Sequence, residues 1–69
     1  MNVDVIKSIP DIELRIEMLA KSLKTNFFTE PTISYFFDDD EINELMNRGI
    51  LTKVEVYLFN KKVSYCEQC

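Results

Sequence analysis

Two cysteines, Cys66 and Cys69, are the side chains of this sequence that are best suited to chemistry. Two residues separate them, which is the spacing found in half of a zinc site and in redox dithiols. A zinc site needs about four ligands, and the sequence contains no histidine and no third cysteine. A redox dithiol opens a helix, whereas this pair follows a predicted strand. We therefore predict that the thiols bind neither metal nor cofactor, with zinc shared between two copies of the chain as the alternative.

An acidic run, Asp38-Asp39-Asp40-Glu41, is the second cluster with chemical potential. A calcium loop would need spaced oxygen ligands and a central glycine, and the run has neither. The same acids suit the start of a helix, where one caps the helix and the others favour its dipole. The alternative is contact with a basic protein partner, in which the carboxylates imitate phosphates. Because no nucleophile has an evident base and no loop is rich in glycine, the sequence predicts a protein that is not an enzyme.

Length and charge restrict the class of function further. The 69 residues suffice for one domain, residues 1–69, and the net charge of −4 argues against binding to the phosphate backbone of nucleic acids. No apolar stretch approaches the ~20 residues that span a membrane, and the N-terminus lacks the layout of a signal peptide. The sequence therefore predicts a soluble, cytoplasmic protein without a membrane partner.

Residues 8–23 are predicted to form the first helix. Apolar side chains recur there every three or four residues, which is helical spacing: Ile9, Ile12, Ile16, Leu19 and Leu23. Ser8 is the expected N-cap, and Asn26 is the expected left-handed residue after the helix. We expect this apolar stripe to form part of the core.

A second helix is expected to begin with Asp38 or Asp39 as its N-cap and to end at Gly49, which favours the left-handed conformation. Its apolar face consists of Ile42, Leu45 and Met46. Residues 2–7 alternate weakly and are expected to form a short strand or an extended arm.

The β structure is predicted from alternation and composition. Residues 33–37 are aromatic and begin with a β-branched residue, which favours a strand. Residues 53–66 alternate on both sides of Asn60-Lys61, which is the predicted turn of a hairpin that pairs Leu58 with Val63. The predicted fold is therefore a small α+β domain of order α-β-α-β-β, with two helices and a three-stranded, mainly antiparallel sheet that ends in a C-terminal hairpin.

The predicted hairpin has aromatic residues on one of its faces. If its aliphatic side chains face the helices, Tyr57 and Phe59 lie on the opposite face. Because two helices are too few to cover both faces, the uncovered aromatic face favours a homodimer or a protein partner. The candidate partner-binding residues are aromatic or acidic: Tyr57, Phe59, Phe27, Phe28, Asp38, Asp39 and Asp40.

A helix that ends in Gly49-Ile50-Leu51 and leads into a hairpin resembles the C-terminal part of a winged helix, here residues 41–65. The winged-helix order has two helices between the first strand and the hairpin, whereas the predicted elements leave one. The resemblance implies a nucleic-acid-binding regulator. In size and composition the chain is similar to small accessory proteins of phages and mobile elements, which often bind and inhibit a host enzyme. We predict a protein-binding module, an inhibitor or adaptor, with the nucleic-acid-binding regulator as the alternative.

Overall fold

A computed structural model describes residues 3–63 and contains four helices and three strands within them. In chain order the elements are α1 (Val3–Lys7), α2 (Ile12–Leu23), β1 (Phe27–Phe28), α3 (Glu30–Phe36), α4 (Asp39–Asn47), β2 (Leu51–Lys53) and β3 (Tyr57–Phe59). The predicted α+β class is confirmed, with a three-stranded antiparallel sheet and a hairpin at its C-terminal end. Helices α1 and α3 are additional to the two that were predicted.

Helix α1 replaces the strand or arm predicted for residues 2–7. Ile6 is buried, whereas Val3 and Val5 lie at the surface. A helical turn brings one apolar side chain of this segment onto α2 and leaves its neighbours outside. Packing against α2 therefore decides the conformation here, and the weak alternation does not.

Helix α2 begins later than predicted because Asp11, and not Ser8, is its N-cap. The Asp11 side chain accepts a backbone N–H two residues further on, while the Ser8 hydroxyl donates to a carbonyl of α1. At the other end, Lys24 takes the left-handed conformation, with φ of 57°. Asn26 was expected there, but its amide group instead donates to two carbonyls at the end of the hairpin.

Helix α3 occupies most of residues 33–37, which were predicted to form a strand. Ile33 and Phe36 are both buried, and side chains three residues apart share a face in a helix but not in a strand. Pro31 lies in the first turn, where its missing N–H costs little. The strand prediction was wrong because it weighed aromatic composition above the spacing of the two buried residues.

Strand β3 is central in the sheet, whose order is β1-β3-β2. Leu58 pairs with Phe27 on one side and with Thr52 on the other. The predicted pairing of Leu58 with Val63 was therefore wrong, because both neighbouring positions are occupied. The hairpin turn lies at residues 54–56, between β2 and β3, where a backbone hydrogen bond of 2.8 Å closes it, and not at residues 60–61.

The core lies between the helices and one face of the sheet. Its largest fully buried side chains come from every described element: Phe28, Phe59, Ile6, Ile16, Leu19, Ile33, Leu45 and Leu51. The predicted stripe of α2 is confirmed at Ile16 and Leu19, but Leu23 at its end is half exposed. Helix α2 thus contributes its central turns to the core and leaves its C-terminal turn at the surface.

Candidate functional site

Helix α4 begins in a capping box. The Asp38 carboxylate accepts the N–H of Glu41 at 3.0 Å, and the Glu41 carboxylate accepts the N–H of Asp38 at 3.2 Å. The prediction that Asp38 or Asp39 caps this helix is confirmed for Asp38. Asp39 and Asp40 follow in the first turn and point to solvent, where the helix dipole favours their charge.

Gly49, two residues beyond the end of α4, takes the left-handed conformation that was predicted for it, with a φ of 75°. The backbone N–H of Gly49 donates to the carbonyl of Met46, and that of Ile50 donates to the carbonyl of Leu45, each at 3.0 Å. Ile42 and Leu45 are buried beneath the helix. Local sequence signals therefore fix both ends of α4 and the face that it turns to the core.

Arg15 fastens α4 to the rest of the domain. Its Nη1 donates to Oε1 of Glu41 at 2.8 Å and to the carbonyl of Phe36 at 2.9 Å. Its Nε donates to the carbonyl of Ile9 at 2.9 Å, and the guanidinium lies 5.1 Å from the centroid of the Phe37 ring. One buried side chain thus joins the segment before α2, the end of α3 and the start of α4.

The pKa of Glu41 lies below its ordinary value. The hydrogen bond from Arg15 is the largest cause, partial burial acts in the opposite direction, and the N–H of Asp38 adds to the lowering. The Glu41 carboxylate is therefore held in its charged form by internal partners. It supports the helix, whereas Asp39 and Asp40, which precede it, are exposed to solvent.

The solvent face of α4 is acidic. Its exposed residues are Asp39, Asp40, Asn43, Glu44 and Asn47, and the helix contains no lysine or arginine. Arg48, just beyond its end, donates from Nε to Glu44 and from Nη1 to Glu13, each at 2.7 Å. These two hydrogen bonds raise the pKa of Arg48 and leave its charge neutralised by two carboxylates. The face therefore carries excess negative charge, mainly from Asp39 and Asp40, which form no ion pair within residues 3–63.

The aromatic residues proposed for partner binding are mostly in the core. Tyr57 and Phe59 are 6% and 1% exposed, and Phe28 is buried as well, whereas Phe27 is exposed. The predicted alternation is real, but the faces are reversed: Tyr57 and Phe59 face the helices, and Leu58 lies on the outer face. Alternation separates two faces without saying which one is covered. The expected uncovered face of Tyr57 and Phe59 was therefore wrong.

The homodimer was predicted from an exposed face of Tyr57 and Phe59, and both side chains are buried. On the outer face of the sheet, Phe27 and Leu58 stand opposite one another across the β1–β3 pair. Phe27 is the more exposed of the two. Self-association through Phe27 stays a prediction, which sedimentation equilibrium of wild type and Phe27→Asp tests.

The predicted acidic residues lie together, whereas the two thiols lie outside the described residues. Asp38, Asp39 and Asp40 are all exposed at the start of α4. Cys66 and Cys69 lie outside residues 3–63, so the prediction about their metal binding stays a prediction. Within the described part of the chain, no three histidine, cysteine, aspartate or glutamate side chains are grouped to hold a metal ion. None of the helices there combines the length and the apolar character that crossing a bilayer requires.

Sequence reasoning missed the role of Arg15. A signal existed, because Arg15 lies three residues after Ile12 and four before Leu19, which places it on the apolar stripe of α2. An arginine in that position must find acceptors inside the fold. Two of its three acceptors come from α3 and α4, which are distant in sequence, so their identity could not be predicted.

No protein-family model matches this chain, and no curated protein or solved structure matches it either. Two helices, α3 and α4, lie between β1 and the β2–β3 hairpin. A single helix was predicted there because residues 33–37 were taken for the first strand. The first strand is instead β1, and most of residues 33–37 belong to α3.

Proposed function

We propose that this chain is a non-catalytic protein-binding module of the cytoplasm, an inhibitor or adaptor, which presents helix α4 to a basic surface of a partner protein. One observation carries the proposal. The exposed face of α4 bears Asp39 and Asp40, which form no ion pair within residues 3–63, and Glu44, which shares the single cation of Arg48 with Glu13 at 2.7 Å each. Surface carboxylates attract lysine and arginine on a partner and accelerate its association.

The negative charge of α4 argues against recognition of nucleic acid by this helix. The recognition helix of a winged helix, which corresponds to α4 by its position, lies between the phosphates of a groove, and lysine and arginine side chains supply most of the charge that neutralises them. Helix α4 offers none, and the buried Arg15 is occupied by Glu41 and two carbonyls. A helix that binds nucleic acid presents cations, whereas α4 presents acidic side chains.

The proposed partner is a host protein whose own surface is basic, as in proteins that bind nucleic acid. Carboxylates of α4 would take the place of phosphates on that surface and compete with its natural ligand. The first turn of α4 presents these carboxylates in a defined arrangement. The capping box and the bond from Arg15 to Glu41 fix the backbone of the turn that contains Asp39 and Asp40.

The test is a pull-down from a lysate of the host cell, with and without nuclease and at increasing salt. Wild type is compared with Asp39→Asn/Asp40→Asn and with the matched control Glu17→Gln/Glu55→Gln. Each double variant changes the net charge from −4 by +2 to −2, but only the first alters α4. We expect a discrete protein band that survives nuclease, weakens with salt, and is lost with the α4 variant alone.

Two outcomes would count against the proposal. Equal loss of the band with both double variants would mean that overall charge, and not the α4 face, attracts the partner. Loss of the band on nuclease treatment would favour nucleic acid as the bound species.

The second candidate function is a nucleic-acid-binding regulator of winged-helix type. The placement of α3 and α4 between β1 and the hairpin favours it. Fluorescence anisotropy with labelled duplex DNA and RNA at low salt tests it directly. Binding whose affinity falls steeply as salt rises would support this candidate over the first.

A further inference from the structure

A polar pocket opens beside the start of α4. Its volume is about 400 Å³, and its walls come from α1, α2, α3 and the first turn of α4 with its N-cap. Four of the lining residues carry charge: Lys7, Arg15, Asp38 and Glu41. Two cations and two carboxylates therefore share one cavity, and their charges sum to zero. Asp39 and Asp40 do not line it, so the pocket is distinct from the exposed acidic face of α4.

Arg15 supplies this pocket with a buried donor. The residue is 8% exposed, and its Nε and Nη1 already donate to two carbonyls and to Glu41. Its Nη2 has no acceptor within residues 3–63. Because buried N–H groups normally have partners and the guanidinium borders the pocket, an acceptor held in the pocket would complete its hydrogen bonds. The unused Nη2 therefore favours a ligand that brings an oxygen acceptor.

Lys7 and Asp38 line the same pocket without an ion pair. The Nζ of Lys7 lies 4.3 Å from the centroid of the Tyr35 ring, and the Asp38 carboxylate accepts a backbone N–H. Neither side chain has an oppositely charged partner in the described part of the chain, and they do not pair with each other. A ligand with a negative and a positive group would give each of them an ion pair.

We propose that this pocket binds a free α-amino acid in its zwitterionic form. The carboxylate of the ligand would accept from Lys7 and from Nη2 of Arg15, and its ammonium group would donate to Asp38. Charge complementarity selects this class, because a simple anion would meet two carboxylates in the pocket and a simple cation would meet two cations. The volume also suits a small molecule, since ligand pockets measure roughly 300–1,000 Å³.

Three ligands of similar size test the inference by NMR titration of the ¹⁵N-labelled chain. Leucine carries both charges, leucinamide carries only the ammonium group, and N-acetylleucine carries only the carboxylate. We expect leucine to bind at least about fivefold more tightly than either blocked twin, because each blocked group removes one ion pair. The backbone amide signals of Ser34, Tyr35 and Asp38, which line the pocket, should shift most.

Two variants of the chain assign each charge of the ligand to its partner. Lys7→Gln should weaken binding of leucine and N-acetylleucine and should not weaken that of leucinamide. Asp38→Asn should weaken binding of leucine and leucinamide and should not weaken that of N-acetylleucine, and asparagine preserves the N-cap of α4. Damage to the fold would weaken all three ligands alike, so this selective pattern reports the charges themselves.

The matched control is Lys24→Gln/Glu55→Gln. It removes one charge of each sign from exposed residues that do not line the pocket, so it should bind the three ligands as wild type does. Equal affinity of wild type for the three ligands would overturn the inference, as would a control variant that binds as weakly as Lys7→Gln and Asp38→Asn. Signal shifts that are not concentrated at the pocket would overturn it as well.

The same pair of charges could come from side chains of a partner protein. A lysine–glutamate dipeptide blocked at both ends carries both charges on its side chains and none on its backbone. Tighter binding of this dipeptide than of leucine would assign the pocket to a partner protein and overturn the inference. None of these titrations uses the proposed basic partner of α4, so their failure would leave that proposal to its own test.

Discussion

Arg15 of α2 donates to Glu41 of α4 across 2.8 Å, and their side chains are 9% and 29% exposed. The same Glu41 carboxylate accepts the N–H of Asp38 and closes the capping box. One acidic group therefore both caps α4 and binds it to α2. The orientation of the acidic face, and with it the proposed function, depends on this contact.

The first prediction concerns Arg15→Met, which we expect to lower the free energy of unfolding by about 2–4 kcal/mol. The substitution leaves the carbonyls of Ile9 and Phe36 without their donor and Glu41 without its cation. Urea denaturation measures the change. The control is Arg48→Met, which removes two ion pairs between exposed side chains and should cost only about 0–1 kcal/mol. Similar small losses for both variants would show that Arg15 does not anchor α4.

The second prediction concerns pH. The pKa of Glu41 is lowered in the folded state, so the stability that this group contributes is fully present above its ordinary value of 4.5. That contribution is lost as pH falls below 4.5 and through the lowered folded pKa. Glu41→Gln should therefore be less stable than wild type at pH 7, and the difference should shrink as pH falls. Urea melts between pH 7 and pH 3 measure it.

A matched carboxylate serves as control for this pH dependence. Glu17 lies 3.9 Å from Lys21 in an ion pair that solvent reaches. Glu17→Gln should differ little from wild type at any pH in the series. A difference for Glu41→Gln that stays constant with pH would contradict the assignment.

The third prediction compares two neighbouring phenylalanines. Phe28 is 2% exposed and Phe27 is 59% exposed, although the two form a single short strand. Phe28→Ala should destabilise the fold by about 3–5 kcal/mol, while Phe27→Ala should change stability by less than about 1 kcal/mol. Thermal melts by circular dichroism measure both. Equal destabilisation would mean that the outer face of β1 is also covered.

The fourth prediction concerns Cys66 and Cys69. Cys66→Ser/Cys69→Ser should bind the partner of α4 as wild type does, and the purified protein should contain no zinc, since two thiols supply half of the usual ligands. Elemental analysis and the pull-down measure these two properties. Stoichiometric zinc that disappears in the double variant would favour the alternative, in which two copies share a metal ion.

The sequence alone determined those features whose causes lie within a few residues. Helix α4 is the clearest case, because Asp38 caps it, Gly49 ends it, and Ile42 and Leu45 lie on one face at helical spacing. The remaining, exposed residues of α4 include Asp39, Asp40 and Glu44, which make its surface acidic. Capping and chain reversal are local hydrogen-bond geometry, so neighbouring residues suffice to predict them.

Tertiary structure decided every feature that depends on a distant partner. Residues 33–37 have aromatic side chains suited to a strand, yet α3 forms because Ile33 and Phe36 are buried together. The β3 alternation fixes two faces, but only the packed helices determine that the face of Phe59 is inside. Arg15 likewise donates a hydrogen bond to Glu41, which lies 26 residues further along the sequence. Local propensities differ by a few tenths of a kcal/mol per residue, whereas burial of one large apolar side chain is worth about 1.5–3 kcal/mol, so packing prevails where the two conflict.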